Sequence, residues 1–308
     1  MSSRRAPLQR DFAGYAGAPV DPAWPADARI CVSFVMNYEE GGERSILSGD
    51  DGSEAFLSEV IGAESWPGKR NLNSESIYEY GSRAGFWRLR DILTAYEVPV
   101  KVYGVAEAMQ RNPKAVAAVQ AAGWEIASHG LRWLDYRDFT REDELHHMRE
   151  AIRIQTQMTG ARPLGWYTGR VSEQTLDLVI ADGGFVYSSD SYADDLPYWV
   201  RHRDRDHLIV PYTLDANDMR FATAQGFNAG DQFFSYLRDT FDQLYEEGLR
   251  GAPKMMSVGL HCRLAGRPGR AIALRRFLDH VRARSGVWLA TRLSIANHWR
   301  ERFAPPSR

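Results

Sequence analysis

An α/β fold built as a parallel β/α barrel, closed or nearly closed, is what this sequence predicts, on two observations. Apolar strand-like runs alternate with amphipathic helix-like runs along most of the 308 residues, the signature of parallel strands joined by helical crossovers. The strand-like runs also end in polar or aromatic clusters: NYEEG (37–41), SHGLRWLDY (128–136), WYTGR (166–170), SSDSYADD (188–195), LDANDMR (214–220) and LHCRLAGR (260–267). In such barrels the loops after the C-terminal strand ends share one rim and carry the chemistry. No repeat, low-complexity stretch or linker divides the chain. Residues 1–308 therefore read as a single barrel domain of about seven or eight strands, with an irregular Pro/Gly-rich lead-in at 1–28.

RICVSFVM (29–36) is the first expected strand. From Gly41 to Ser76 the chain is rich in Gly, Ser, Asp and Asn without a period, too long for an idle connection, and reads as a functional loop or lid. Helical spacing returns at 83–96, and VPVKVYGV (98–105) is the second strand. PKAVAAVQAAG (113–123) is a short helix with Pro at its start and Gly at its end, and WEIASHG (124–130) is a strand ending at a histidine. The helix at 141–160 has Thr140 as N-cap and Gly160 as its close. Strands at 163–169 and 184–190 flank a helix at 172–181, and another strand follows at 207–214. A helix at 231–247 aligns Phe234, Leu237, Phe241 and Leu244, a strand runs over 254–264, and a helix at 269–284 ends the series. RHRDRDH (201–207) alternates in sign and reads as a solvated loop.

Composition narrows the partners. A net charge of −2 gives no general affinity for nucleic acid or anionic membrane. No stretch reaches the roughly 18 apolar residues of a membrane span, and the basic N-terminus has no apolar run behind it, so cytoplasmic residence is expected. Cys31 and Cys262 are the only cysteines and form neither a disulfide framework nor a CxxC site. DLPYW (195–199) reads as an exposed aromatic motif suited to subunit contacts, hence a homo-oligomer, dimer or tetramer.

NYEEGGE (37–43) places Glu39 and Glu40 side by side where a buried strand ends. Strand side chains alternate between faces, so one of the two points into the barrel mouth. A carboxylate there is costly unless paired, hydrogen-bonded or used as a base. The other rim residues each have a structural reading as well. Asp135, Asp190, Asp194 and Asp195 are of the type that caps turns and helices; Arg132, Arg170, Arg263 and Arg267 suit pairing with acids; His129 and His261, taken singly, read as core-edge histidines. Metal chemistry is not written locally. His146 and His147 are adjacent on a helix and cannot face one ion, and the residue one turn beyond His129 is Trp133. A zinc site would need Glu40, His129 and His261 to converge.

In this order the clusters resemble the motifs of the polysaccharide deacetylase superfamily, over roughly residues 10–300. The resemblance implies a distorted (β/α) barrel of the NodB type. That superfamily pairs two aspartates after its first strand, one the base and one a metal ligand, and follows with a His-x-x-x-His ligand motif and a Leu-x-His acid. Here the pair is Glu39–Glu40, the second histidine is Trp133 in HGLRW, and the acid position is His261 in GLHCR. NYEEGGE, SHGLRWLDY, GWYTGR, SDSYADDLPYW, YTLDANDMRF and MMSVGLHCRLAGRPGR look most like the metal-independent allantoinase (PuuE-type) branch, whose relatives include cyclic imide hydrolases.

The resemblance implies an amidohydrolase needing no metal or other cofactor, acting on a small cyclic ureide, first allantoin to allantoate. A cyclic imide or hydantoin is the alternative, and a metal-dependent deacetylase of N-acetyl sugars stands behind both. Opening a hydantoin ring expels a ureide-stabilised nitrogen, a better leaving group than the plain amine of an N-acetyl sugar. A base, an oxyanion donor and a proton donor then suffice where the sugar calls for a Lewis acid. On this reading Glu39 or Glu40 activates water and the other orients it or a neighbouring histidine. His129 positions or polarises the water and His261 protonates the departing nitrogen. Arg170, Arg263 or a backbone N–H holds the oxyanion. Tyr167, Trp133 and Trp199 wall a small flat ring, with Asp135 and Asp190 as further substrate-binding candidates.

Overall fold

Among the described residues nine strands hydrogen-bond into one curled sheet: β1 (Ile30–Tyr38), β2 (Val100–Gly104), β3 (Glu125–Ser128), β4 (Gly165–Trp166), β5 (Tyr187–Ser188), β6 (Tyr198–His202), β7 (Arg205–Ile209), β8 (Lys254–His261) and β9 (Val287–Leu289). The computed structural model describes residues 10–202 and 204–305; residues 1–9 of the expected lead-in and Arg203 of the 201–207 segment lie outside them. The order is β6-β7-β5-β4-β3-β2-β1-β8, with β9 pairing the start of β1. Every pairing is parallel except the β6–β7 hairpin. Between the chain leaving β7 and the far edge of β8, the bridge Asn217↔Gly259 draws the curled sheet together.

Strand β1 is buried along its whole length, as a central parallel strand covered on both faces should be. Its alternation sorts the two sides. Ile30, Val32, Phe34, Met36 and Tyr38 join the core made with Leu89, Ile92, Leu237, Phe241, Leu274 and Phe277 of the surrounding helices. Val35 packs instead with Tyr103, Ala127, Tyr167 and Tyr212 inside the barrel. Glu39 continues that inner row. Lower in the barrel, Lys101 pairs with Glu125 at 3.1 Å, and the fully buried Arg292 donates to the hydroxyls of Ser189 and Ser257 and to the carbonyls of Val210 and Pro211.

Several sequence expectations need correction. β6 and β9 were not foreseen, so the strands number nine and one edge is antiparallel. The 201–207 segment is not a loop: its described residues belong to the hairpin, where His202 reaches Asp177 at 2.7 Å and the buried His207 meets the Ser188 hydroxyl at 3.1 Å. The apolar and aromatic residues of DLPYW are not exposed. Leu196 is buried with Trp24 and Trp299, and the Trp199 indole donates to the Phe303 carbonyl at 2.9 Å. The strands expected at 163–169 and 184–190 shrink to two residues each, and past the end of β4 the Thr168 and Gly169 amides turn to Asp190. The long irregular stretch ends at Asn71, which caps the helix Leu72–Tyr80 through the Ser74 amide. A π turn, Gly81–Gly85, joins that helix to Phe86–Ala95.

Candidate active site

The site is built where the strands end. Register aligns Tyr38, Gly104, Ser128 and Trp166 in one row across β1 to β4, so the next residues, among them Glu39, His129 and Tyr167, open the rim. On the other side of β1, His261 lies opposite Asn37. Residues far apart in sequence are thereby delivered to one level.

Glu39 is the hub, with only 1% of its surface exposed. Its Oε1 lies 3.2 Å from His129 Nε2 and 3.4 Å from His261 Nε2, and its Oε2 lies 2.7 Å from Arg263 Nη2. His129 Nδ1 donates to the Tyr167 carbonyl at 3.0 Å, which turns Nε2 toward Glu39. His261 Nδ1 donates to Asp218 at 2.6 Å, and the same carboxylate accepts the His261 and Ala265 amides. Burial alone would push the Glu39 carboxyl up; the Arg263 guanidinium, His261 and His129 outweigh it and hold that carboxyl well below the usual range. Burial would lower His261, but Glu39 and Asp218 raise it to about 9. An ionised carboxylate thus faces an imidazole that keeps its proton through neutral pH, the pairing a general base and a general acid require.

Glu40 turns elsewhere. Its Oε2 accepts the Glu39 amide at 3.1 Å and its Oε1 the Arg263 amide at 3.2 Å. It sits against Gly81, where a Cβ would come within 2.4 Å of Oε1. Burial, helped by the Glu39 charge, raises its carboxyl in spite of Arg263. The structure therefore separates the two glutamates that the sequence left unranked.

The remaining candidates divide. Arg263 is wholly buried, donates through Nε to the Leu57 carbonyl at 3.1 Å, and stands 4.3 Å and 5.1 Å from the Tyr78 and Trp133 rings. Tyr167 packs on His129, ring centres 5.1 Å apart. Asp190 accepts the Thr168 and Gly169 amides close to His129, and burial raises its carboxyl to about 6. Arg170 is directed to Glu54 and the Trp133 carbonyl instead of Glu39. Asp135 caps the Arg137 amide and pairs with that side chain. Trp199, half-buried on β6, packs against the cluster around Trp24 and Trp299 and takes no part in walling the site. Asp218 is the residue that sequence reasoning missed: LDANDMR was marked as a rim cluster, but nothing in it separates Asp218 from Asp215, which bonds Thr213 and Tyr236.

The superfamily's metal does not fit these residues. Trp133 offers no ligand and is stacked on Phe56, ring centres 5.7 Å apart at 17°. The Arg263 cation lies against one oxygen of each glutamate, where it repels a second cation. Among the described residues, no three His, Cys, Asp or Glu side chains are grouped to hold an ion.

Comparison with known proteins agrees with this architecture. Residues 75–181 match the sequence family described as polysaccharide deacetylase. A Schizosaccharomyces pombe protein is 45% identical over 309 residues, 94% of this chain and 96% of its own length. A Pseudomonas aeruginosa PAO1 protein of known crystal structure is 55% identical, with a TM-score of 0.94 over 97% of this chain and 99% of its own. Both are provisionally described as polysaccharide deacetylases. The chain belongs to the polysaccharide deacetylase family. PuuE allantoinase, also of known crystal structure, is 53% identical, with a TM-score of 0.95 over 98% of this chain and 100% of its own.

Proposed function

We propose that this protein is a hydrolase of carbon–nitrogen bonds in cyclic amides, and that it opens the ring of allantoin to give allantoate. The observation that carries the reading is Glu39: a carboxylate held ionised in a buried site, touching two imidazoles and a guanidinium. The likeness to PuuE allantoinase over nearly the whole of both chains supports the choice of substrate.

Glu39 takes a proton from a water held beside His129, and the resulting hydroxide adds to the ring carbonyl. Charge developing on that oxygen meets Arg263, whose Nη1 and Nη2 are buried without an aligned acceptor, although Glu39 lies 2.7 Å from Nη2. The tetrahedral intermediate collapses with cleavage of the C–N bond, and His261, backed by Asp218, gives its proton to the departing ureide nitrogen. Glu39 then returns its proton to solvent as the new carboxylic acid ionises, and His261 is reprotonated. No metal takes part in any step.

We further propose one barrel domain for the chain behind its irregular lead-in, cytoplasmic residence and a homo-oligomer. No helix among the described residues is long and apolar enough to cross a membrane. For assembly DLPYW does not supply an exposed aromatic surface, since Trp199 is half-buried and bonded to the Phe303 carbonyl. Turnover of allantoin, hydantoin, succinimide and a chito-oligomer, each with and without chelator, tests the function. Chelator-resistant hydrolysis of allantoin alone or foremost is expected; deacetylation of the chito-oligomer with no attack on the rings would overturn it.

A further inference from the structure

Glu39, His129 and His261 are at most 4% exposed, so little of them is open to a substrate in this conformation. The segment between Gly41 and Gly68 lies over their neighbours: Leu57 meets Arg263 and Phe56 meets Trp133. Both glycines have left-handed backbone, φ +98° and +63°, as hinge positions that side-chain-bearing residues would resist. Between them the segment is tied to itself. Gly52 pairs with Pro67, the Gly68 amide donates to the Asp51 carbonyl at 2.8 Å, and the Trp66 amide to the Ser53 hydroxyl at 3.0 Å.

Its ties to the rest of the molecule are mostly polar, among them Ser74 to the Glu54 carbonyl, Tyr78 to the Phe56 carbonyl, Arg170 to Glu54 and Arg111 to Ser48, with Leu57 alone of its residues set in the main core. Arg132 holds one end, through Asp50 at 2.8 Å and the Glu43 carbonyl at 2.9 Å. Arg270 holds the other in a bidentate pair with Glu59 at 3.0 and 2.9 Å. Between these clamps Phe56 stacks on Trp133, and the Leu57 carbonyl accepts from Arg263 Nε. A cavity of about 290 Å³, lined by Glu40, Glu43, Tyr78 and Arg111 among others, lies beside the first hinge and leaves room for movement.

We propose that residues 43–68 are an active-site lid that opens as a unit to admit substrate, with Arg132–Asp50 and Arg270–Glu59 as its latches, and that Leu57 seats Arg263 against Glu39 only when the lid is down. Closure then does two things. It shuts water out, and it completes the charge arrangement that keeps Glu39 ionised, so catalysis follows binding. The charged and titratable groups facing Glu39 are Glu40 from the same chain segment, His129 from the end of β3, and His261 and Arg263 from the end of β8, with Tyr78 against Arg263. Arg132, Asp50, Glu59 and Arg270 are positioning residues.

The test has an arm that needs no substrate and an arm that rests on the allantoinase reading. Amide exchange of the full-length protein should show 43–68 exchanging together, faster than β1. R132M and, independently, E59Q should each accelerate it by about tenfold, the equivalent of about 1.4 kcal/mol. In allantoin hydrolysis, R132M should lower kcat/KM and move its acid limb to higher pH, because an unseated Arg263 no longer holds Glu39 down; R132K should restore part of both. A structural role alone would leave the acid limb in place. Exchange of 43–68 as slow as β1 and unchanged in both variants would overturn the lid, whatever the substrate proves to be. A tenfold faster exchange with an unmoved acid limb would overturn the seating of Arg263 by Leu57.

Discussion

At the scale of single residues, two adjacent glutamates differ because one peptide step on a strand reverses the side chain's direction. Glu39 shares the inward row of Val35 and meets both histidines; Glu40 faces Gly81 and the Arg263 amide. Glu39→Gln should lower turnover by about 10²–10⁴-fold, the usual loss for a general base, with the fold intact; Glu40→Gln should lose less. Steady-state rates of the two variants decide it, and equal losses would contradict the assignment. The acid partner has its own signature. Its raised pKa makes the active protonated form of His261 persist until pH rises through about 9, so the rate should fall on the alkaline side near there. Its proton-linked contribution to stability is likewise present below the ordinary histidine range and lost through about 9. Asp218→Asn removes a negative charge that favours the imidazolium, so the alkaline limb should move to lower pH. A limb that stays in place would separate Asp218 from the acid.

At the scale of elements, the rim depends on backbone lying against backbone. The turn that follows His261 packs on the π turn so closely that a Cβ at Gly85 would fall 1.9 Å from the Cys262 carbonyl oxygen, and one at Gly266 would fall 2.1 Å from it. Gly85→Ala or Gly266→Ala should cost roughly 1–3 kcal/mol by overpacking and also lower turnover, since the displaced loop carries His261 and Arg263. Gly269→Ala, with open space around it, should do neither. Denaturant midpoints and rates measured together check both effects.

Legibility in the sequence differed by element for physical reasons. Long periodic segments could be read: the helix Arg141–Thr159 has its Thr140 cap and its Gly160 close as expected. The hairpin β6–β7 is legible only from His207 onward, because the Arg and Asp residues at its turn end interrupt the apolar run, and β9 hides because three residues carry no period. Most of the site was legible as polar groups at strand ends, since a buried apolar run stopping at Glu39, His129 or His261 is unusual. Partner choice was not. Trp199 and Arg170 look like wall and donor in sequence, yet fold against Phe303 and Glu54. Asp218 became distinguishable only when the chain after β7 crossed to β8.

At the scale of the whole molecule, a curled, mostly parallel sheet brings residues from 39 to 263 to one rim, where a buried guanidinium stands beside the two glutamates. An imidazole, a carboxylate and an arginine can hydrolyse an activated ring amide without a Lewis acid, because the leaving nitrogen is already stabilised. Conversion of allantoin to allantoate by enzyme exhaustively treated with chelator, with its metal content counted in the same sample, tests this most directly. Undiminished turnover at sub-stoichiometric metal is the predicted result, with Glu39→Gln inactive under the same conditions. Stoichiometric zinc, whose removal abolishes hydrolysis and whose return restores it, would contradict it and make Glu39, His129 and His261 ligands instead of acid–base and water-positioning groups.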